Sequence, residues 1–354
     1  MIPSKILVFH TAFIGDLILT LPVLQRLHEA NPRVDITVVA VPTAAAVFEN
    51  HPAVHSIIPY DKRGSDAGVS AVFALARRLR SKHFDVALVP HRSLRSAILI
   101  WLARIPRRIG FSTSAAPWLF TDIAADDRSL HEIDRNLSLL APLGISRTGH
   151  ESPALHPSAE DERVVDRFIL LQEARNPSFR RGNLVGMAPG SVWNTKRWPK
   201  RHFIELGKMV VSDGSALVLV GSKDDAALCY EIERMVGSNN VVNAAGKLSL
   251  LQSAELIRRC SVLVTNDSAP LHLAAGVRTA VVALFGATAP GFGFAPRGKH
   301  DVVVEMQGLT CRPCTPHGGD ACPIGTFVCM EELRPDAVYQ KVKSVLESVR
   351  KDVP

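Results

Sequence analysis

Aromatic residues make up only 6% of this 354-residue chain, too few among its basic clusters to suggest the stacking platform of a single-strand nucleic-acid binder. No zinc-finger or RNP-type motif is present either, and no nucleic-acid partner is expected. No G-x-G-x-x-G run follows a strand, which removes the main support for a hydride-transferring dinucleotide enzyme. The Gly and Gly-Lys-Ser/Thr spacing of a P-loop is absent as well. Apolar runs are short: the longest later candidate, Ala97 to Ala103, falls well below the roughly 20 residues of a membrane span. The amino end, Ile2 to Leu24, is apolar but is broken by Asp16, and Asn31-Pro32-Arg33 offers no small-residue cleavage site. A mature cytoplasmic start and a soluble or peripheral protein are therefore expected.

What is there suits two globular domains. At roughly 100 to 200 residues per domain the length predicts about two, each large enough for its own core. A composition of 47% hydrophobic and 21% charged residues supplies both an interior and a wet surface. The 41 Lys and Arg against 34 Asp and Glu leave a net charge of +7, a modest attraction for anionic ligands that by itself does not choose among them.

Short apolar runs alternate with helical spacing. Ile6 to Phe9 is followed by a Gly-containing turn and then Leu17, Leu21, Leu24 and His28 at helical intervals. Further strand signals lie at Ile36 to Val41, Ile57-Ile58, Val86 to Val89 and Arg108 to Gly110. They stop between Gly144 and Asn183, where Pro153, Pro157 and Pro177 accompany a charged helical stretch, Glu160 to Glu173. They resume at Leu184 to Ala188, Ala216 to Val220, Val241-Val242, Val262 to Thr265 and Ala280 to Phe285. This alternation predicts parallel sheets covered on both faces, an α/β architecture of two doubly wound, Rossmann-like domains. The expected division is 1–175 for one Rossmann-like domain, 176–333 for a second with a Cys-rich loop at 308–330, and a final helix within 334–354. Two such sheets facing a central cleft would bind ligand at the carboxyl ends of their strands.

The motifs fall at those strand ends. In Thr11-Ala-Phe-Ile-Gly15-Asp16-Leu17, Gly15 would permit a tight turn and Asp16 would present a carboxylate at the helix start, either as a functional group or simply as an N-cap. In Ala188-Pro-Gly-Ser191-Val-Trp-Asn-Thr195-Lys196-Arg-Trp198-Pro199, the proline suits the first turn of a helix. Ser191, Thr195 and Lys196 then belong to a loop able to present hydroxyls, backbone N–H groups and an ammonium to a diphosphate; a turn with a solvated Lys-Arg pair fits equally. In Thr265-Asn-Asp267-Ser268-Ala269-Pro-Leu-His272, Asp267 could accept ribose hydroxyl protons while Ser268 and the amides that follow face phosphate. A capping Asp with a satisfied core His reads the same pattern.

Four of the six cysteines, Cys311, Cys314, Cys322 and Cys329, share one Pro- and Gly-rich segment. A tetrahedral structural zinc, reduced loop cysteines and a disulfide all remain open, although cytoplasmic placement disfavours the last. Cys229 and Cys260 read as core. In Val72 to Lys82 the apolar stripe leaves Arg77, Arg78, Arg80 and Lys82 mostly outward, by default a solvated face. With Arg92, Arg95, Arg104, Arg107 and Arg108 they could instead meet an anionic acceptor or an anionic membrane surface.

Taken in order, Gly15-Asp16, Lys196-Arg-Trp-Pro199 and Asn266-Asp267-Ser268 with His272 resemble the glycosyltransferase family 9 heptosyltransferases of lipopolysaccharide core assembly. The resemblance extends to Pro106-Arg-Arg-Ile-Gly110-Phe, His131-Glu-Ile-Asp-Arg-Asn136-Leu and Val282-Ala-Leu-Phe-Gly286-Ala-Thr, nearly the whole chain. Many members carry Gly-Leu or Gly-Pro where this chain has Ala269-Pro270. The resemblance implies a GT-B fold and metal-independent, inverting transfer from ADP-L-glycero-D-manno-heptose, with no cofactor required for catalysis. It further implies Asp16 as general base, Lys196 on the diphosphate, Gly15, Ser191, Thr195, Ser268 and Ala269 around the donor, Asp267 on its nucleoside side and His272 supporting that loop. Arg92 and Arg95 are the candidates for an anionic glycolipid acceptor at the cytoplasmic face of the inner membrane. A relative using another nucleotide sugar or acceptor, or a binding module without turnover, remains the alternative.

Overall fold

The computed structural model describes residues 3–179 and 182–352; Ile2, at the start of the apolar amino-terminal run, lies outside them. The chain forms two compact units, Met1–His156 and Pro157–Pro354. The first contains strands β1 (Lys5–Phe9), β2 (Asp35–Ala40), β3 (Val54–Pro59), β4 (Val86–Val89), β5 (Arg107–Phe111) and β6 (Asp122–Ala124). Its helices are α1 (Ile14–Ile18), α2 (Leu21–Ala30), α3 (Val69–Arg80), α4 (Leu94–Leu102) and α5 (Glu132–Leu137). The second contains β7 (Leu184–Ala188), β8 (Ala216–Leu219), β9 (Val241–Asn243), β10 (Val262–Asn266), β11 (Val281–Phe285) and β12 (Val302–Glu305). With them come α6 (Ala159–Glu173), α7 (Lys200–Ser212), α8 (Ala226–Val236), α9 (Leu250–Arg259), α10 (Ala269–Gly276), α11 (Val328–Glu331) and α12 (Pro335–Lys351).

The strands are short, apolar on both faces and rich in Val, Ile and Leu, the composition of a sheet sandwiched between helices. All observed pairings are parallel. The orders are β3-β2-β1-β4-β5-β6 and β12-β11-β10-β7-β8-β9. Read from its own first strand, each sheet has the doubly wound order 3-2-1-4-5-6, so strand order reverses between β1 and β4 in one unit and between β7 and β10 in the other. Ligands of such sheets sit beyond the strand ends at that reversal.

The break between the units falls at His156/Pro157, earlier than the expected 175, because α6 is built into the second unit. Ion pairs join its Glu162 to Arg258 and its Asp166 to Arg259, both 2.9 Å, on α9. Nor is 334–354 separate: Val338, Val342 and Val345 of α12 enter the core of the second unit beside Trp198, Phe203 and Val264. The two strands without a sequence signal, β6 and β12, are both sheet edges.

Candidate active site

In the first unit, β1 ends at Phe9 and the chain turns through His10–Phe13 into the one-turn helix α1. Phe13 is its N-cap, so Gly15 is helical and Asp16 sits in the third helical position, not at the cap or in a turn as the spacing suggests. The Asp16 carboxylate accepts the backbone N–H of Phe13 at 3.2 Å, the reciprocal half of a capping box. Its side chain stays half-buried at the carboxyl end of β1.

Asp16 is held from below. Thr20 Oγ donates to the Asp16 carbonyl (2.9 Å) and contacts His10 Nδ1 (2.8 Å), while fully buried Asn136 of α5 donates to the Leu19 carbonyl (3.2 Å). The His131–Leu137 segment therefore braces the Asp16 turn. Arg135, on the same helix, lies within electrostatic reach of Asp16. It pairs with Glu132, which together with Asp126 also binds Arg92.

Around the same strand ends are groups that motif spacing alone does not reveal. Lys62 donates to the Thr11 carbonyl and reaches Thr11 Oγ at 3.3 Å. His91, directly after β4, contacts Thr11 Oγ (3.2 Å) and Ser96 Oγ (3.0 Å). Burial, reinforced by the Lys62 and Arg92 charges, pulls the His91 imidazole down to about 4. Burial and the neighbouring His91 depress His10 also. Both rings are neutral at pH 7, so Lys62, whose own pKa burial lowers, and the arginines bring the positive charge here. The available sequence signal was positional: His91 follows the second strand of the reversal, as the Asp16 turn follows the first.

Arg92 and Arg95, the expected acceptor contacts, are engaged inside the unit. Arg92 binds Asp126 with two bonds of 2.8 and 2.9 Å and lies 4.3 Å from the Phe111 ring centroid. Arg95 donates to the carbonyls of Lys62 (3.0 Å), Asp66 (2.7 Å) and Ala67 (3.0 Å). It shapes the loop that carries Lys62.

In the second unit the two remaining motifs meet across the β7/β10 reversal. Lys196 Nζ lies 2.7 Å from Asp267 Oδ2, with side chains only 14% and 7% exposed, and Thr288 Oγ donates to the same oxygen at 2.7 Å. His272, one turn into α10, is buried beside them. Burial takes its pKa down to about 4, overriding the pull of Asp267, so the imidazole is neutral and Lys196 is the cation of this cluster. Ser268 is the N-cap of α10, and its hydroxyl turns back to the carbonyls of Gly190 (3.3 Å) and Asn266 (3.4 Å); Ala269 opens the helix.

Asn266 fastens the motifs to each other. Its amide donates to the Pro189 carbonyl (2.9 Å), and its Oδ1 accepts the backbone N–H of Trp198 (3.0 Å). Trp198 is buried, its indole N–H bound to the Leu333 carbonyl (2.8 Å), which anchors the far end of the Lys196 loop. Ser191 is half-exposed, and its carbonyl accepts from Arg197 at 2.7 Å. A Cβ on Gly190 would lie 2.0 Å from Asp225 Oδ1, a carboxylate already held by Ser222, so only glycine fits this turn.

Sequence reading missed that the Cys-rich segment lies over Lys196. Thr195 N–H donates to the Gly319 carbonyl (3.0 Å), and Gly319 N–H returns to Thr195 Oγ (2.8 Å). Gly318, at φ +90°, has its α-carbon so close that an added Cβ would lie 3.1 Å from Lys196 Cγ. The cysteines themselves are free thiols. Among the described residues no group of three or more His, Cys, Asp or Glu side chains is arranged to hold a metal ion, so the geometry does not present the four-thiolate zinc centre that is one of the three open readings of this segment. The reason lies in Cys329, which α11 places in the hydrophobic core and whose thiol burial pushes up to about 11. Cys322, by contrast, stays on the loop, where backbone N–H groups led by Phe327 favour its thiolate.

A carboxylate at one reversal point and a buried ammonium–carboxylate pair at the other, each in a polar, neutral-histidine setting, are the parts from which group transfer to a hydroxyl can be built. Comparison with known proteins gives the family. Lipopolysaccharide heptosyltransferase 2 of Escherichia coli K12 is 29% identical over 301 residues, 81% of this chain and 84% of that protein. Lipooligosaccharide heptosyltransferase 2 of Haemophilus influenzae is 27% identical over 310 residues, covering 86% and 89%. Among solved structures, the E. coli ADP-heptose LPS heptosyltransferase II superposes with a TM-score of 0.79 at 26% identity, over 97% of this chain and 99% of that one. A family 9 glycosyltransferase from Veillonella parvula reaches 0.86 at 24% identity over 98% of both. The family model of glycosyltransferase family 9 (heptosyltransferase) matches residues 72–320, and this chain belongs to that family.

Proposed function

We propose that this glycosyltransferase moves heptose from ADP-L-glycero-D-manno-heptose to a hydroxyl of a lipopolysaccharide inner-core acceptor, with inversion at the anomeric carbon. The observation that carries the reading is the buried Lys196–Asp267 pair at the carboxyl ends of β7 and β10, where an ADP-sugar would meet this sheet. Lys196 keeps two further N–H donors for a diphosphate, and the donor joins an existing charge pair without having to order a free lysine. Asp267 faces the nucleoside side, Ser191, Thr195, Ser268 and Ala269 border the phosphates, and neutral His272 supports the loop.

In the reaction, the Asp16 carboxylate takes the proton of the acceptor hydroxyl while that oxygen bonds to the anomeric carbon. The bond from the anomeric carbon to the diphosphate oxygen breaks with its electron pair, and Lys196 stabilises the negative charge that collects on departing ADP. Arg135 lies within electrostatic reach of Asp16, and Lys62, beside Thr11 at the same strand end, suits an anionic acceptor. The acceptor's lipid would place the enzyme at the cytoplasmic face of the inner membrane; no helix among the described residues is long and apolar enough to cross one.

The test is ADP release from ADP-heptose with a heptose-deficient core acceptor, for wild type and Asp16→Asn, beside a panel of GDP- and UDP-sugars. Acceptor-dependent release from ADP-heptose is expected, falling about 10²- to 10⁴-fold in the variant, with ADP affinity unchanged. An active Asp16→Asn enzyme would refute the base assignment, and turnover only with another donor would refute the donor.

A further inference from the structure

Between Ala67 and Phe120 the chain carries nine Lys and Arg and a single acidic residue, Asp85. Asp85 is occupied, accepting the backbone N–H groups of Ser4 (3.1 Å) and Lys5 (2.9 Å). This stretch builds one helical layer of the first unit: α3, α4 and the 3-10 turn Pro117–Leu119 pack side by side, sharing a core of Leu75, Leu79, Ala97 and Ile100. The outer side of the layer is unusual for a surface in water.

On α3, Val69 (73% exposed), Phe73 (52%), Arg77 and Arg80 follow one another at positions i, i+4, i+8 and i+11, a single outward stripe that starts apolar and ends basic. On α4 the outward stripe is Leu94, half-buried Ile98, Trp101 (51% exposed) and, just past the helix, Arg104. Trp118, 76% exposed, projects from the adjoining turn. Among the described residues no ion pair holds Arg77, Arg80 or Arg104, in contrast to Arg92 and Arg107, whose guanidinium groups are paired with Asp126 and Asp122.

We propose that this face docks on the surface of an anionic lipid bilayer, with Trp101, Trp118 and Phe73 entering the headgroup boundary and Arg77, Arg80 and Arg104 meeting lipid phosphates. Amphipathic indoles favour that boundary, and basic side chains beside exposed apolar ones give the two contributions, apolar burial and charge, that interfacial binding needs. A second copy of the chain suits the face poorly, because an isologous contact would bring one positive patch against another and bury unpaired guanidinium groups. The inference rests on the proposed glycolipid acceptor for its biological sense, but binding to lipid requires neither donor nor acceptor and is measured without them.

The probe is sedimentation of the full chain with vesicles of phosphatidylglycerol and phosphatidylethanolamine (30:70), against vesicles of phosphatidylcholine alone. Wild type is expected to bind the first and not the second, with binding weakened by salt. Arg77→Gln should lower partitioning about fivefold, the worth of one basic residue near an anionic surface. Trp101→Ser with Trp118→Ser should lower it at least about tenfold while circular dichroism shows an unchanged fold. Phe73→Ser, a smaller change on a separate helix, should weaken it too. Leu170→Ser with Leu171→Ser, an exposed apolar pair on α6 of the second unit, should leave it unchanged. Equal binding of wild type to both vesicles, no effect of any first-unit substitution, or an equal loss on α6 would overturn the proposal. So would loss of self-association in the Trp variant, without vesicle binding by wild type. Failure of heptosyl transfer with vesicle binding intact would count only against the proposed function.

Discussion

Lys196→Met removes the ammonium 2.7 Å from Asp267 while keeping most of the apolar stem. Its effect will combine two losses that the structure allows to be separated. The Asp267 carboxylate, 7% exposed, is left with the Thr288 hydroxyl as its remaining side-chain donor. Stripping one partner from a buried ion pair costs about 3–5 kcal/mol, and the slight exposure of this pair puts the expected loss near the lower end, about 3 kcal/mol. Asp267→Asn leaves a neutral amide able to accept from Lys196 and Thr288, and should cost about 1–2 kcal/mol. The double variant buries no unpaired charge, so it should be more stable than Lys196→Met alone, with a coupling energy of about 2 kcal/mol. Urea unfolding at pH 7.5 measures the cycle, and calorimetric titration with ADP measures binding. The expected pattern is recovery of stability in the double variant without recovery of ADP affinity. If ADP affinity returned together with stability, Lys196 would be acting through folding and not on the diphosphate.

Two further outcomes follow from the same geometry. His51 and His91 titrate at about 4 when folded because burial disfavours their charged forms, against 6.5 when unfolded. The unfolded chain therefore binds more protons in between, and stability present above pH 6.5 should fall as pH drops toward 4, by up to about 3 kcal/mol per ring; urea midpoints that stay flat from pH 7 to 4.5 would contradict it. Gly318→Val places a Cβ 3.0 Å from Trp193 Cβ and 3.1 Å from Lys196 Cγ at φ +90°, so it should displace the loop over Lys196 and cost about 1–3 kcal/mol. Its signature is a donor KM raised more than kcat is lowered, and wild-type kinetics would refute the contact.

Much of the architecture is legible because buried parallel strands must be continuous apolar runs, and such runs announce themselves: β1, β4, β7, β10 and β11 coincide with the clearest of them. The missed strands are those for which the rule relaxes. β6 has three residues, begins at Asp122 and exposes Ile123, while β12 is half-buried at the opposite edge of its sheet. Boundaries went astray for a related reason. Prolines around residues 153–177 mark loops but say nothing of which core a following helix joins; packing against α9, with the Arg258 and Arg259 ion pairs, assigns α6 to the second unit. Asp16 and Gly15 were placed in the right segment with the wrong local geometry, since Phe13 is a poor N-cap by composition and nothing in the sequence favours starting a helix there.

The basic residues teach the sharper lesson. In sequence, Arg77, Arg92, Arg95 and Arg104 form one cluster with one charge, and any of them could be offered to an anion. Folding divides them by what their planar donors meet. Arg92 and Arg95 follow β4, where backbone carbonyls and the acids of the β6–α5 segment converge, and there a guanidinium is consumed in building the loop that carries Lys62. Arg77 and Arg104 stand on the outer stripes of α3 and α4, where among the described residues no ion pair holds them, beside Phe73 and Trp101. An external anion can compete for an arginine only where the fold has not already satisfied its donors. The search for the acceptor's contacts therefore moves from Arg92 and Arg95 to Lys62 beside Thr11, and the search for a lipid surface moves to the outer stripes of α3 and α4.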